Sequence, residues 1–396
     1  MWFTERMTSM GKLNEQLLAM APDRSQKVVA KAKSMKNVPG YIDLSIGEPD
    51  FSTPKAIVDE MYKWASNGYT HYTIGLGLPE LRARIARKLK EENNCNYTAD
   101  QIVVTTGAKF AIYAAIRAIV SPGAEVMYLA PVWLSYDSII QASNGVPVPV
   151  HLNYEDGYKV TLEALEAKVT DKTRALMMNY PNNPTGKILT SEDFKAIKAF
   201  LLKHPDIYLV SDEIYERIVY DGNVAFSPAS DPELADRVIT VNGFSKAFAM
   251  TGWRLGYLAA PSDVVEVVRR LYVNTLSCVS GFEMKAALFA LDCQADTERM
   301  RQAFDERRKM FIAGLNSIPG VEAQMPEGAF YAWVKFTKEG IKDSIDLEEF
   351  ILDKAKVIAM PGISYGEEDF PCVRLSYAAS MEELKEAVER IREAMK

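Results

Sequence analysis

Between residues 101 and 260 the sequence alternates short apolar segments with longer helical ones, and this alternation constrains the fold more than any other feature. The apolar segments occur at 101–106, 125–130, 174–179, 207–211 and 238–241. Helical stretches separate them, and the first of these stops at Ser121-Pro122-Gly123. Strands that alternate with helices form a mainly parallel sheet covered by helices. The sequence therefore predicts an α/β fold.

A segment with chemically interesting residues begins where each of these predicted strands ends. In chain order these are T-G-A-K, P-V-W, Y-P-N-N-P-T-G, Asp212 and G-F-S-K. In open α/β sheets, ligands bind outside the carboxyl ends of the strands. We therefore expect one binding site at this edge of the sheet, built from several segments.

The segment N-G-F-S-K-A-F-A-M-T-G-W-R-L-G-Y, residues 242–257, places Lys246 directly after the last of these strands. Burial lowers the pKa of a lysine, and a neutral amine can form a Schiff base with a carbonyl. Arg254 can grip a phosphate through two N–H groups, and Ser245 can add a hydroxyl. Taken alone, a surface lysine at a strand end is the commoner interpretation, so the neighbouring segments decide between the two.

Two further segments offer groups that suit a phosphorylated aromatic ring. Gly107-Ala108 begins a helix, where free N–H groups favour an anion such as a phosphate. Trp133 offers an aromatic face for stacking on a pyridine ring. A plain tight turn and a core tryptophan are the alternatives at these positions. With Lys246, they are parts that a pyridoxal phosphate site requires.

Asp212 ends an apolar strand and is expected to be a buried carboxylate. It can pair with a protonated pyridine nitrogen and so keep the ring an electron sink; the alternative is an N-cap for a helix starting at Glu213. Tyr215, three residues on, can share its face and hydrogen-bond the ring hydroxyl. Asn183 can donate to the same oxygen, although Asn-Pro pairs usually mark turns.

Arg374 lies between two apolar residues, Val373 and Leu375, in a predicted strand. Such an arginine either points to solvent or clamps a substrate carboxylate with two hydrogen bonds. Gly47, in I-G-E-P-D-F, lets the backbone approach that carboxylate closely.

Taken together and in order, the motifs resemble the class I/II aminotransferases of the pyridoxal phosphate fold-type I superfamily, and aspartate aminotransferases in particular. The matching pieces run from about residue 41 to the C-terminus: I-G-E-P-D-F, Y-T-x-x-x-G-L-G-L-P-E-L-R, T-T-G-A-K, A-P-V-W, N-Y-P-N-N-P-T-G, S-D-E-I-Y, G-F-S-K-A-F-A-M-T-G-W-R-L-G-Y and V-R-L-S-Y-A. The resemblance implies a large domain with a mostly parallel seven-stranded sheet and a smaller α+β domain.

The resemblance also implies roles for individual residues. Lys246 is the Schiff-base lysine and carries the proton, and Arg374 binds the α-carboxylate, near Gly47. Tyr72 reaches the phosphate of the neighbouring subunit in a homodimer with shared sites. The other implied cofactor contacts are Asp212 on the ring nitrogen, Asn183 and Tyr215 on the ring oxygen, Trp133 on the ring face, and Gly107, Ala108, Lys109, Ser245 and Arg254 at the phosphate.

The parts of the chain before and after this sheet are predicted to form an N-terminal arm, a long helical region and a small domain. We assign residues 1–45 to an N-terminal arm and part of the small domain, 46–316 to the large domain with a long interdomain helical region from 262, and 317–396 to the small domain. Strands are predicted at 330–336, 357–360 and 372–377. Ser380 and Glu383 form a capping box for a last helix, whose apolar stripe is Leu384, Val388, Ile391 and Met395.

Composition limits the partners. A net charge of −7 disfavours nucleic acid. Four cysteines without any C-x-x-C pair favour a reducing compartment and make a zinc site improbable. Neither a secretory signal nor a membrane span is visible, so a cytoplasmic protein is expected.

Transamination between an amino acid and a 2-oxo acid is the leading functional prediction. Lys109 follows the phosphate turn and resembles the lysine of one aspartate aminotransferase branch, which favours aspartate or glutamate as donor and 2-oxoglutarate or oxaloacetate as acceptor. If Lys109 only adds charge near the phosphate, an aromatic or broad-specificity aminotransferase is the alternative. A β-eliminating lyase shares the same cofactor site, whereas a regulator on this fold would need a DNA-binding domain before residue 41.

Overall fold

The computed structural model describes residues 13–14, 17, 20, 34–35, 38, 40–133, 135–367 and 370–396. Among these residues no helix has the length and apolarity needed to cross a membrane, and no cluster of potential ligands could hold a metal ion. Of the predicted N-terminal arm, Leu18 lies outside the described residues. Leu13 and Leu17 are exposed.

A seven-stranded sheet is the centre of the larger part of the molecule. Its strands are β2 (Ile102–Thr105), β3 (Glu125–Ala130), β4 (Val146–His151), β5 (Thr173–Asn179), β6 (Tyr208–Asp212), β7 (Val238–Gly243) and β8 (Gly256–Ala259), in the spatial order β2-β8-β7-β6-β5-β3-β4. All neighbouring pairs are parallel except the two that involve β8. The predicted α/β fold with a mostly parallel sheet is confirmed.

The helices that cover and flank this sheet are α1 (Lys55–Ser66), α2 (Pro79–Asn93), α3 (Ala108–Ile119), α4 (Ser135–Ala142), α5 (Leu162–Glu166), α6 (Ser191–Lys203), α7 (Ser262–Thr275), α8 (Gly281–Ala290) and α9 (Gln294–Asn316). Helix α3 packs on β7, β8 and α7. Its alanine- and isoleucine-rich face is fully buried, including Ile112, Ala115 and Ile116. This packing fixes the start of α3 beside the strand ends.

Two strands of the sheet were not predicted. Strand β4 reads V-P-V-P-V-H, and prolines normally argue against a strand. It tolerates them because it lies at the edge of the sheet and pairs only with β3. Strand β8 is four residues long and antiparallel, and it falls within the motif that follows Lys246.

Residues 262–316, predicted as one long helical region, are helical over most of their length. The chain there forms three helices, α7, α8 and α9, separated at 276–280 and 291–293. Ser277 adopts φ of 66°, a left-handed conformation that ends helical geometry. Ser280-Gly281 then starts α8 in a new direction, where a Cβ on Gly281 would meet the Tyr69 ring at 2.8 Å.

A second group of strands lies in the C-terminal part. Strands β9 (Val321–Ala323), β10 (Tyr331–Phe336), β12 (Met360–Pro361) and β13 (Cys372–Ser376) form an antiparallel sheet in the order β12-β13-β10-β9. The predicted strand at 357–360 is two strands, because β11 (Val357–Ile358) pairs instead with β1 (Ile42–Asp43). The remaining helices are α10 (Ser344–Phe350) and α11 (Met381–Met395).

Helix α11 forms as predicted. The Ser380 hydroxyl accepts the Glu383 N–H at 3.2 Å, and the Glu383 carboxylate accepts the Ser380 N–H at 3.0 Å. Leu384, Val388 and Ile391 are buried in the core cluster of the C-terminal part, and Met395 packs against it.

Candidate active site

A cavity of about 480 Å³ opens at the carboxyl ends of the parallel strands, the place where open α/β sheets bind ligands. Residues that follow different strands line it: Ala108 and Lys109 after β2, Trp133 after β3, Asn183 after β5, Asp212 at the end of β6, and Ser245 and Lys246 after β7. Arg374 of β13 reaches it from the C-terminal part, and Gly47 of the loop after β1 lines it as well. The strand-end residues thus converge as expected.

Lys246 brings an amine into this cavity. Its Nζ donates a hydrogen bond to the Gly47 carbonyl at 2.5 Å. Burial lowers the pKa of Lys246 to about 8; the Glu48 carboxylate opposes that shift and the Arg374 and Arg254 guanidinium groups reinforce it. At neutral pH the amine is therefore much closer to its neutral, nucleophilic form than an ordinary lysine.

Asp212 is a buried carboxylate, as the sequence indicates. Burial raises its pKa to about 6, and hydrogen bonds limit the rise. The Tyr136 hydroxyl donates to Oδ2 at 2.6 Å and the Ile214 N–H donates to Oδ1 at 3.2 Å. Asp212 accepts a backbone N–H as an N-cap residue would, but it does not cap a helix, because residues 214–217 form a turn.

Tyr215 lies on the same side of the cavity as Asp212, and both line it. Its hydroxyl is 2.7 Å from the hydroxyl of Tyr331. Burial raises the pKa of Tyr215 well above its usual value. The phenol is therefore a hydrogen-bond donor, never an anion, at physiological pH.

The turn at Gly107 brings the start of α3 next to Arg254. Gly107 has φ of 81°, and a Cβ there would lie 2.6 Å from Nη2 of Arg254. Arg254 itself is held by an Nη1 hydrogen bond to the Thr251 carbonyl at 2.8 Å. Glycine thus leaves space between the N–H groups at the start of α3 and a guanidinium, with Ser245 also lining the cavity. Such a cradle suits a phosphate.

Lys109 and Trp133 form one wall of the cavity. The Lys109 ammonium lies 4.6 Å from the centre of the Trp133 ring, a cation–π distance, and 3.3 Å from the Ser135 hydroxyl. Trp133 is only partly buried, so its interpretation as a simple core residue does not describe its position.

Arg374 does not point to solvent; it is 4% exposed and lines the cavity. Its Nη1 donates to Asn183 Oδ1 at 3.1 Å and its Nη2 to the Ser45 carbonyl at 2.5 Å. Its buried Nε has no hydrogen-bond partner among the residues that the structure describes. A buried arginine with an unpaired donor suits an anionic ligand.

Tyr72 does not line this cavity, whereas the other candidate residues line it, except Gly107, which lies beside the cavity residue Arg254. Its side chain is 91% exposed. A chain on its own therefore does not bring Tyr72 to its own site, and the role with a neighbouring subunit stays a prediction.

The sequence analysis did not single out Glu48, Tyr331 and Tyr365, which line the cavity, or Tyr136, whose hydroxyl donates to Asp212. Tyr136 is three residues beyond Trp133, and a tyrosine at helical spacing from an aromatic wall residue was the available signal. Glu48 lies inside I-G-E-P-D-F, where its carboxylate accepts the Thr251 hydroxyl at 2.8 Å. Nothing local marks Tyr331 or Tyr365.

Residues 39–391 match the family model described as aminotransferase class I and II. The chain belongs to this family.

Individual relatives agree with this assignment. A probable aspartate/prephenate aminotransferase of Aquifex aeolicus is 39% identical over 384 residues, which is 95% of this chain and 96% of that protein. The crystal structure of the aspartate aminotransferase from Rhizobium meliloti superimposes with a TM-score of 0.92 at 36% identity, covering 98% of this chain and 99% of that one. An aromatic aminotransferase from Pyrococcus horikoshii gives 0.86 at 38% identity, covering 91% and 97%.

The predicted enzyme class, transamination and pyridoxal phosphate dependence are thereby confirmed, since this family and fold use that cofactor. The residues present fit it. The cradle at Gly107 and Arg254 suits the phosphate, the buried Asp212 suits the ring nitrogen, and Lys246 lines the same cavity as Asp212 and Arg254.

Proposed function

We propose that the chain catalyses a ping-pong transamination between aspartate or glutamate and 2-oxoglutarate or oxaloacetate. One observation supports this proposal most strongly: three functional groups line the same cavity. They are the Lys246 amine with its lowered pKa, the buried Asp212 carboxylate, and Arg374, whose Nε lacks a hydrogen-bond partner among the described residues. When bound, pyridoxal phosphate supplies an aldehyde that joins covalently to amines and a ring that takes up the electron pair left at the substrate α-carbon.

In this proposal the large sheet holds the cofactor. Asp212 keeps the ring nitrogen protonated, Tyr215 and Asn183 donate to the ring oxygen, and Trp133 stacks on the ring. The phosphate would be held at the start of α3 by Gly107, Ala108, Ser245 and Arg254. Because these groups come from rigid strand ends, they hold the ring in one orientation.

Lys246 is proposed to hold the cofactor at rest and to move the proton during the reaction. The pKa of about 8 lets Nζ accept a proton from the substrate α-carbon and return it at neutral pH. The Gly47 carbonyl accepts a hydrogen bond from Nζ and so fixes where the amine points.

Arg374 is proposed to bind the α-carboxylate of every substrate. Asn183 and the Ser45 carbonyl hold its two terminal nitrogens and thereby orient the guanidinium. The lack of a side chain at Gly47 keeps the approach open, because a Cβ there would lie 3.5 Å from Nη1.

Lys109 is proposed to bind the distal carboxylate of aspartate or glutamate. A second carboxylate requires a second cation, since an unpaired buried charge is costly. Lys109 lines the cavity on its Trp133 wall. The names of the Aquifex and Rhizobium relatives support a dicarboxylic donor, whereas the name of the Pyrococcus relative supports the aromatic alternative.

Lys109→Ala tests the substrate assignment. We expect kcat/KM to fall about 10- to 100-fold for aspartate, the loss of one charged hydrogen bond, and far less for alanine and phenylalanine. The matched control is Lys285→Ala, because Lys285 also lies 4.6 Å over a tryptophan ring, that of Trp64, but does not line the cavity. Equal losses for all three donors in Lys109→Ala would favour the aromatic or broad-specificity alternative.

The same assays separate transamination from β-elimination. A lyase releases pyruvate and ammonia without an acceptor, whereas a transaminase needs a 2-oxo acid. We expect product only when 2-oxoglutarate or oxaloacetate is present.

The active unit is proposed to be a cytoplasmic homodimer with shared sites. Exposed apolar side chains at positions near Tyr72 in the sequence support the dimer, notably Tyr62 at 71% and Ile74 at 58% exposure. The four free cysteines support a reducing compartment.

A further inference from the structure

Tyr331 lies between two groups to which the proposed function gives separate tasks. It is the first residue of β10, is completely buried, and lines the cavity. Its hydroxyl meets Tyr215, and its ring meets Arg374. The proposed function uses both neighbours and leaves Tyr331 without a task.

The Tyr331 hydroxyl is positioned to donate to Tyr215. The two hydroxyl oxygens are 2.7 Å apart, and the rings meet nearly perpendicularly with centroids 5.7 Å apart. Each phenol has one hydrogen. If Tyr215 donates its hydroxyl hydrogen to the cofactor ring oxygen, the hydrogen bond between the two hydroxyl groups must use the hydrogen of Tyr331. Hydrogen bonds in such a chain polarise one another, which makes Tyr215 a stronger donor.

The Tyr331 ring supports the guanidinium of Arg374. The guanidinium carbon lies 4.3 Å from the ring centre, within the range of a cation–π contact. Arg374 is thus held at its edge by Asn183 and the Ser45 carbonyl and on its face by Tyr331. A Cβ on Gly47 would lie 2.8 Å from the Tyr331 hydroxyl, so glycine at this position leaves the space that the hydroxyl occupies.

We propose that Tyr331 is a positioning residue that joins the carboxylate-binding arginine to the ring-oxygen donor. Its hydroxyl strengthens Tyr215, and its ring orients Arg374, so one side chain ties the substrate contact to the cofactor contact. This inference rests on the roles proposed above for Tyr215 and Arg374.

Two substitutions in the holoenzyme separate the two tasks. Tyr331→Phe keeps the ring and removes the hydroxyl, whereas Tyr331→Leu removes both. The control is Tyr377→Phe, because Tyr377 is an equally buried tyrosine whose hydroxyl bonds Ala329 O and does not line the cavity. The readouts are the pH midpoint of the bound cofactor's absorbance change, the dissociation constants of succinate and 3-phenylpropionate, kcat, KM and the thermal midpoint.

In Tyr331→Phe we expect the absorbance midpoint to rise by about half a pH unit, because the negatively charged ring oxygen loses part of its hydrogen bond. Its kcat should fall while KM and carboxylate binding stay near wild type. In Tyr331→Leu we expect the same shift and, in addition, carboxylate binding that is weaker by about 3- to 30-fold. Tyr377→Phe should lower only the thermal midpoint.

An absorbance midpoint in Tyr331→Phe equal to that of wild type would overturn the proposal. The proposal would also be overturned if the absorbance midpoint and carboxylate binding changed equally in all three variants and in parallel with their thermal midpoints. Tyr331 would then have only a structural role. A wild-type protein without cofactor absorbance or transamination would remove the proposed function itself, and this outcome is visible before any variant is compared.

Discussion

At Asp212, burial and hydrogen bonding act in opposite directions on one carboxyl group. Burial raises the pKa to about 6, from 3.8 for an exposed aspartate, and the Tyr136 hydroxyl limits the rise. A carboxyl whose pKa is higher in the folded state binds its proton more tightly there. In the apo protein this group therefore costs stability progressively as pH rises from about 4 to 6. The hydroxyl of Tyr136 limits that cost and favours the charged form of the carboxyl group.

We predict that Tyr136→Phe raises the Asp212 pKa further, by about one unit, because a hydrogen bond to the charged form is lost. A neutral carboxyl no longer pairs with the ring nitrogen, so acidification should weaken cofactor binding. In Tyr136→Phe this weakening should start at a higher pH than in wild type. Spectroscopic titration of the apo protein with pyridoxal phosphate at a series of pH values measures this.

Tyr97→Phe is the control for the Asp212 prediction, because its hydroxyl bonds the Val238 carbonyl at 3.0 Å and not the site. If Tyr136→Phe and Tyr97→Phe gave the same pH dependence of cofactor binding as wild type, Tyr136 would not control Asp212.

The candidate residues differ in how far the sequence could reveal them. Lys246 and Asp212 directly follow strands, so the parallel sheet brings them together and the sequence predicts that meeting. Tyr136, Tyr331 and Glu48 acquire their places through contacts between segments far apart in the chain. The hydroxyl contact between Tyr215 and Tyr331 spans 116 residues, and no local pattern encodes it.

Among the elements, local rules succeed where the chain carries its own signal. Helix α11 has a capping box and an amphipathic stripe, and both form. Strand β4 carries two prolines that oppose its formation, yet its place at the edge of the sheet overrides them. The division of residues 262–316 into α7, α8 and α9 likewise depends on packing, such as the contact of Gly281 with Tyr69.

At this scale we predict that Ser380→Ala lowers the free energy of unfolding by about 1 kcal/mol, because the first turn of α11 loses its cap. Urea unfolding followed by circular dichroism measures the change. Ser191→Ala is the matched control: Ser191 begins α6, but Thr190 is the residue that caps it. The control should change stability by less than about 0.5 kcal/mol; a loss equal to that of Ser380→Ala would refute the capping account.

For the whole molecule, the position of Tyr72 makes the arrangement of subunits a functional question. Its side chain is 91% exposed, while the site it is predicted to serve is a cavity formed by other residues. Subunit exchange between Tyr72→Phe and Lys246→Ala proteins resolves it. If Tyr72 serves the partner, each hybrid has one site with both defects and one intact site.

We therefore expect mixed dimers to recover turnover that neither parent shows. A mixture whose activity is only the average of its parents would mean that Tyr72 acts in its own chain or not at all. Mixing each variant with wild-type protein controls for exchange itself.

The central claim is that Lys246 carries the cofactor, and reduction of the holoenzyme with borohydride followed by peptide mapping tests it most directly. Reduction makes the bond between lysine and cofactor permanent. The account predicts one modified peptide, with the added mass on Lys246, and a Lys246→Ala protein that still binds the cofactor through its phosphate contacts but turns over no substrate. Modification of Lys109 or another lysine instead, or of none, would contradict it.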